Sequence, residues 1–366
     1  MNRTAPRSIF VFVLALSASI ACSGKKAEEA APQGEGPAAA PEPAKAQPVK
    51  LQGAGASFPA PLYTRWFKSY GQKHENVQID YQSVGSGSGV KAVIDKTVDF
   101  GASDAAMNDE EIARVPGGVQ LLPMTAGEIV LTYNLEGVSD LKLSRKAYTA
   151  IFLGQAKKWN DTVIASANPG VKLPSTPINV VVRADSSGTT FVFTKHLSEI
   201  SPEFAKSPGT NKMPNWPVGT RSKGNEGVTA SVKTTPGSIG YIEYGYAASQ
   251  KLPMAVLENK SGAFVAATPA SGKAALESAE MPENMIVWAP DPAGAEAYPI
   301  VTYTWLILYK QYPDEKKLEV LREFVKYAVT EGQNDSEALG YIPLPANVVE
   351  KVKAAVDNVK VAANAT

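Results

Sequence analysis

The chain has 366 residues, 44% of them hydrophobic, and sets 36 Lys and Arg against 36 Asp and Glu. That length can bury a large core and predicts two domains, while the zero net charge argues against a nucleic-acid groove and against electrostatic adhesion to membranes. One cysteine rules out an internal disulfide.

Arg3 and Arg7 precede the apolar run 9–16, which is too short to span a bilayer, and small residues lead to Ser19-Ile20-Ala21-Cys22. The pattern predicts an export signal over residues 1–21. Cys22 stands where a bacterial lipoprotein carries its diacylglyceryl anchor, although Ser19-Ile20-Ala21 also suits ordinary signal peptidase. Residues 22–48 hold that cysteine and an Ala-, Pro-, Glu- and Lys-rich stretch that cannot pack a core, so they read as a flexible spacer.

The folded part opens with Leu51-Gln52-Gly53-Ala54-Gly55-Ala56-Ser57-Phe58-Pro59-Ala60-Pro61. This reads as a short strand, a sharp glycine turn and a helix opened by proline, with Tyr63, Trp66, Phe67 and Tyr70 on its buried face. Ser57 and the N–H of Phe58 then lie at the helix mouth. Val77 to Gln82 alternates as a strand and runs into the glycine-rich turn 83–89, with a helix expected from Val90 to Ile94. Neither glycine cluster completes a nucleotide motif: the first lacks its third glycine at Phe58. The second has Val90 where a Walker loop needs Lys, although Gly87 to Ala92 fits the looser G-x-G-x-x-A. Val98 to Ala106 is a short strand ending in a small-residue turn that holds Asp104, a carboxylate where the neighbouring turns offer donors.

Val119–Pro123 and Glu128–Tyr133 read as two strands, the second leaving the first domain. Ser144 caps a helix with Ala147, Tyr148, Ile151 and Phe152 inward, and Trp159 and Trp216 read as core. The run Ile178 to Val182 is a buried strand, followed by Arg183-Ala184-Asp185-Ser186-Ser187-Gly188-Thr189-Thr190 at a helix start. Such a turn gathers unpaired N–H groups, hydroxyls and the positive end of a helix dipole, with Arg183 adding a full charge; it reads equally as an oxyanion cradle or as an ordinary Ser/Thr cap beside a surface Arg–Asp pair. Gly224-Asn225-Glu226-Gly227 starts a helix, Gly237 to Ile242 forms turn and strand, and a helix lies near Ser271 to Ala279. Tyr298 to Tyr309 is a long apolar strand, Asp314 to Val329 a helix, and a last helix runs from about Pro345 to Val361. Alternation of strands and helices predicts an α/β chain with mainly parallel sheets, in which ligands bind at the carboxyl ends of strands.

Four segments in one order, Gly53 to Pro61, Val98 to Asp104, Arg183 to Thr189 and Gly224 to Gly227, resemble the periplasmic phosphate-binding proteins that feed bacterial phosphate ABC transporters. The resemblance covers the chain from about Leu51 to the final helix. It implies a type II periplasmic-binding-protein fold whose two domains, 51–133 plus 303–366 and 134–302, close over a ligand. It places inorganic phosphate on Ser57, the N–H of Phe58, Ser86, Asp104, Arg183, Ser187, the N–H of Gly188 and Thr189, with Asp185 holding the Arg183 guanidinium. Ser57 stands where this family often has Thr and Ser88 where it often has Gly. Glu128, a charge within a strand, has no reading from the sequence.

The partners implied are phosphate and the permease subunits of a membrane importer, with the protein a monomer in the periplasm, tethered through Cys22. No cofactor and no metal is expected, since His, Cys and carboxylates do not cluster. Asp104 suits phosphate, which keeps a proton near neutral pH and can donate it, better than sulfate or molybdate, the alternative ligands. A phosphoesterase would need a base, and neither His74 nor His196 stands beside a candidate serine in a recognisable motif.

Overall fold

The computed structural model describes residues 48–277 and 279–362. The export signal, Cys22 and the spacer as far as residue 47 lie outside the described residues. Among the described residues no helix is long and apolar enough to cross a membrane.

Strand β1 (Val49–Gly55) enters helix α1 (Ala60–Lys73) through Pro59 at the cap, and α1 buries Leu62, Tyr63, Trp66 and Tyr70. Strand β2 (Val77–Ser83) leads to α2 (Ser86–Ile94), followed by β3 (Phe100–Ser103). The glycine-rich stretch expected to be a turn is thus largely the first turn of α2, which begins at Ser86 and not at Val90. Intrinsic propensity argues against this start, but packing requires it. A side chain at Gly89 would lie 2.5 Å from the Gly55 Cα, so only glycine lets α2 settle onto β1.

Residues 119–133 form one strand, β4 (Val119–Tyr133), where two were expected. The strand runs on through Pro123 by way of a register shift: Met124 is an extra residue on β4, with Thr125 opposite Thr304 and Pro123 opposite Trp305. Helix α3 (Arg145–Phe152), capped by Ser144, follows, and then β5 (Asn179–Arg183) and α4 (Gly188–Ile200). The chain continues through β6 (Thr220–Ser222), α5 (Gly224–Thr234), β7 (Ser238–Glu243), the short helix α6 (Tyr244–Ser249) and α7 (Pro269–Leu276). Strand β8 (Val301–Tyr309) and helices α8 (Glu315–Val329) and α9 (Ala346–Asp357) complete it. The last helix stops at Asp357, short of the expected Val361, because Lys360 and Val361 pair instead with Gln311 and Tyr312.

The main sheet has eight strands in the order β2-β1-β3-β8-β4-β7-β5-β6. Pairing is parallel within β2-β1-β3 and within β7-β5-β6, and antiparallel where β8 and β4 join the two halves. Strand β4 spans the junction: its residues to Glu128 pair with β8, and Ile129 to Tyr133 pair with β7. Aromatic side chains fill both halves. Tyr63 stacks on Trp66 at 5.5 Å in one, Phe193 stacks on Tyr241 at 4.5 Å in the other, and Trp159 and Trp216 are buried as expected.

Candidate functional site

Five chain turns at the carboxyl ends of strands converge on one point. Ser57 follows β1, Ser86 opens α2 after β2, Asp104 follows β3, Ser187 caps α4 after β5, and Asn225 lies in the first turn of α5 after β6. All five are buried. The first three belong to the β1 half of the sheet and the last two to the β5 half, and the halves touch here. Gly87 N–H donates to the Ser186 carbonyl at 2.9 Å, and Tyr246 O–H donates to the Ser57 carbonyl at 2.6 Å. Lys212 and Glu111 form an ion pair between the halves at 2.8 Å.

Helix starts supply most of the donors. The first N–H groups of a helix have no acceptor within it, so the amides of Gly188 and Thr189 point out of α4 toward the junction. Ser187 is the cap: its Oγ accepts from Thr190 N–H at 3.0 Å and keeps its own hydroxyl proton to donate. Gly188 has to be glycine for a steric reason, since a Cβ there would lie 2.4 Å from Ser86 Oγ and 2.7 Å from Asp104 Cβ.

Arg183 brings the positive charge. It is 3% exposed, and its Nε and Nη2 donate to the two Asp185 oxygens at 2.9 and 2.5 Å. Gly224 N–H also donates to Asp185 at 2.9 Å. Burial raises the Asp185 carboxyl, but these hydrogen bonds and the Arg183 charge outweigh it and hold the group below its ordinary value. Arg183 Nη1 is buried and has no partner among the described residues, so one guanidinium nitrogen remains able to donate.

Asp104 is a second carboxylate among these donors, without an ion pair of its own among the described residues, and it is 1% exposed. Thr304 O–H donates to its Oδ1 at 2.9 Å, while Ser86 and Thr189 hydroxyls stand 3.5 Å from Oδ2. Burial pushes the carboxyl up to about 7, against the opposing pull of Thr304 and of the Arg183 charge. Near neutrality it therefore passes readily between acceptor and donor. Phe58 follows Ser57 with its ring buried and its carbonyl accepting from Tyr341 O–H at 2.7 Å.

The eight expected ligand residues and Asp185 thus lie on the turns that meet at this junction. Two further residues belong to it. Asn225 donates from its backbone N and from Nδ2 to Ser57 Oγ, at 3.0 and 2.9 Å, and from Nδ2 to Thr189 Oγ1 at 3.3 Å. The Gly224 to Gly227 motif pointed at this helix start without giving the Asn side chain a role. Thr304 lies in an apolar strand and nothing local marks it. Neither histidine serves the serines: both nitrogens of His196 are engaged, by Tyr148 O–H at 2.9 Å and the Pro290 carbonyl at 2.6 Å, and His74 stacks on Tyr70 at 4.1 Å. Burial pushes His196 down to about 4. No cluster of metal-ligating side chains occurs among the described residues. Glu128 now has an explanation: it is buried on β4 and anchors the start of α7, accepting from Ser271 O–H at 3.0 Å and Thr268 N–H at 3.3 Å.

A family model described as the PBP superfamily domain matches residues 31–331. The Phosphate-binding protein PstS of Xylella fastidiosa (strain 9a5c) is 37% identical over 320 residues, covering 86% of each chain. The chain belongs to the PstS phosphate-binding protein family. The PstS of Pasteurella multocida (strain Pm70) is 40% identical over 314 residues, covering 84% of this chain and 90% of that one. The PstS of Methanocaldococcus jannaschii is 38% identical over 342 residues, covering 86% of this chain and 88% of that one. The fold is shared with a high affinity periplasmic phosphate-binding protein (PfluDING) solved with phosphate, at a TM-score of 0.71 and 20% identity, over 84% of this chain and 93% of that one. It is also shared with a putative phosphate ABC transporter substrate-binding protein from Clostridium perfringens solved with bound phosphate, at a TM-score of 0.59 and 17% identity, over 81% of this chain and all of that one.

Proposed function

We propose that this protein is the extracytoplasmic receptor of an ABC importer, capturing inorganic phosphate where the two halves of its sheet meet and handing it to the permease. Membership of the PstS family supports the transport role. The observation that carries the choice of ligand is Asp104, a buried carboxyl amid donors, with the paired Arg183 as the cation of the cluster. Hydroxyls of Ser57, Ser86, Ser187 and Thr189, amides of Phe58 and Gly188, and the spare Arg183 nitrogen donate to phosphate oxygens. Asp104 accepts the proton that phosphate itself carries. Arg183 is largely neutralised by Asp185, so affinity rests on dipoles and hydrogen bonds more than on net charge.

Segments 51–133 plus 303–366 and 134–302 act in this reading as two lobes that move apart to admit the anion. The protein works as a monomer in the periplasm, held to a membrane by a diacylglyceryl group on Cys22. Mass spectrometry of the native N-terminus tests the anchor: a lipid mass on Cys22 supports it, and an unmodified N-terminus overturns it. Titration calorimetry tests the ligand. Phosphate binds, and at pH 8 or above, where Asp104 is ionised, sulfate or molybdate binds at least about tenfold more weakly, because an anion without a proton leaves Asp104 facing another acceptor. Equal affinities for phosphate and sulfate would refute the assignment.

A further inference from the structure

Asn225 does more than line the junction. A serine hydroxyl has two acceptor positions and one proton. Both acceptor positions of Ser57 Oγ are filled from Asn225, one by its backbone N–H at 3.0 Å and one by its side-chain amide at 2.9 Å. The Ser57 proton is therefore driven out along the remaining direction, away from Asn225. The amide cannot turn over to relieve this, because its Oδ1 accepts from Glu243 N–H, at the end of β7, at 2.9 Å. The same Nδ2 reaches Thr189 Oγ1 at 3.3 Å, and Thr189 stands 3.5 Å from Asp104. Ser57 lies on the β1 half, whereas Asn225, Thr189 and Glu243 lie on the β5 half, so the arrangement exists only when the halves are together.

We infer that Asn225 is a closure-dependent positioning residue: it joins the lobes through Ser57 and fixes the polarity of the Ser57 hydroxyl so that it can only donate to a bound anion. The inference rests on the phosphate reading above. Its signature is kinetic, since contacts made only after closure slow release without helping encounter.

The test is stopped-flow phosphate binding to the purified protein and to Asn225→Ala, Ser57→Ala and the double variant, with thermal melts to confirm folding. Asn225→Ala removes the amide bonds to Ser57, Thr189 and Glu243 while keeping the backbone bond to Ser57, and speeds phosphate release about tenfold to a hundredfold, with association changed by less than about twofold. In the Ser57→Ala background, removing Asn225 adds little, because the two act as one unit. Asn225→Asp keeps the shape and the Glu243 contact but offers Ser57 an acceptor, so it also speeds release, and it serves if Asn225→Ala does not fold. Multiplicative losses in the double variant, or a loss confined to association, overturn the inference while leaving phosphate binding intact. Failure of the unaltered protein to bind phosphate overturns the functional reading and this inference with it.

Discussion

Replacing Asp104 by Asn isolates the step that selects the anion. The substitution preserves shape and the bond from Thr304 to Oδ1, which an amide oxygen accepts equally well, and changes the atom facing Ser86 and Thr189 from acceptor to donor. In the unaltered protein an ionised Asp104 and a sulfate oxygen would face each other as like charges. At a separation of about 4 Å and an effective dielectric of about 20 this costs roughly 4 kcal/mol for the ionised carboxyl, but sulfate can instead bind the protonated form, so with the carboxyl at about 7 the net penalty is about tenfold at pH 8. Asp104→Asn removes that penalty, so at pH 8 sulfate affinity rises by about tenfold and the preference for phosphate falls with it. A second expectation concerns pH. The carboxyl sits at about 7, raised by burial, so acidification through that value protonates it and turns it into a donor. Sulfate binding to the unaltered protein therefore strengthens as pH falls toward 7 and levels off below it, whereas in Asp104→Asn it stays flat. Calorimetry with sulfate and phosphate between about pH 6 and 9 measures both effects. Unchanged selectivity in Asp104→Asn, or a sulfate affinity independent of pH in the parent, would refute the reasoning.

Gly188→Ala drives a methyl group against Ser86 and Asp104, both across the junction, while leaving the helix that bears it intact. Phosphate affinity should fall about tenfold to a hundredfold with the melting temperature little changed; an unaltered affinity would mean the halves do not close as tightly as described. Glu128→Gln probes the buried carboxyl on β4, which burial pushes up to about 8. Stability lent by the protonated acid is complete below about 4.5 and is lost as pH rises through 8, so the neutral variant should match its parent at about pH 4 and exceed it by several kcal/mol near pH 9. Urea unfolding at both values checks this, and a difference that does not grow with pH would contradict it.

The strand-and-helix alternation was legible because buried strands such as 178–182 are unbroken apolar runs, and helix faces such as Tyr63, Trp66 and Tyr70 keep their spacing. Local rules failed where tertiary packing overrode them. The glycines of 85–89 resemble a loop until α2 is seen pressed onto β1, and Pro123 resembles a strand break until the extra residue beside it in β4, Met124, is seen to shift the register against β8. Anion-friendly turns could be read one at a time, but not the contacts between them. Thr304 reaches Asp104 across 200 residues of sequence, and Asn225 reaches Ser57 across 168. Such partners leave no short-range pattern. Asn225 was visible as a residue in a motif, and only its two bonds to one hydroxyl reveal its role.

The position of β8 bears on how the molecule is made. This strand, residues 301–309, lies between β3 and β4, two strands that end far earlier in the chain, at residues 103 and 133. Until it is synthesised, β3 and β4 each present an unpaired inner edge, and the apolar residues of β4 have no neighbour on that side. A chain truncated before residue 301 would consequently be prone to aggregate, and a nascent chain would depend on chaperones or on late collapse. The β5 half has all its strands of the main sheet by residue 243, so assembly can begin in the middle of the sequence. The turns that carry Ser57, Ser86 and Asp104 are among the first made, but their sheet is among the last to close.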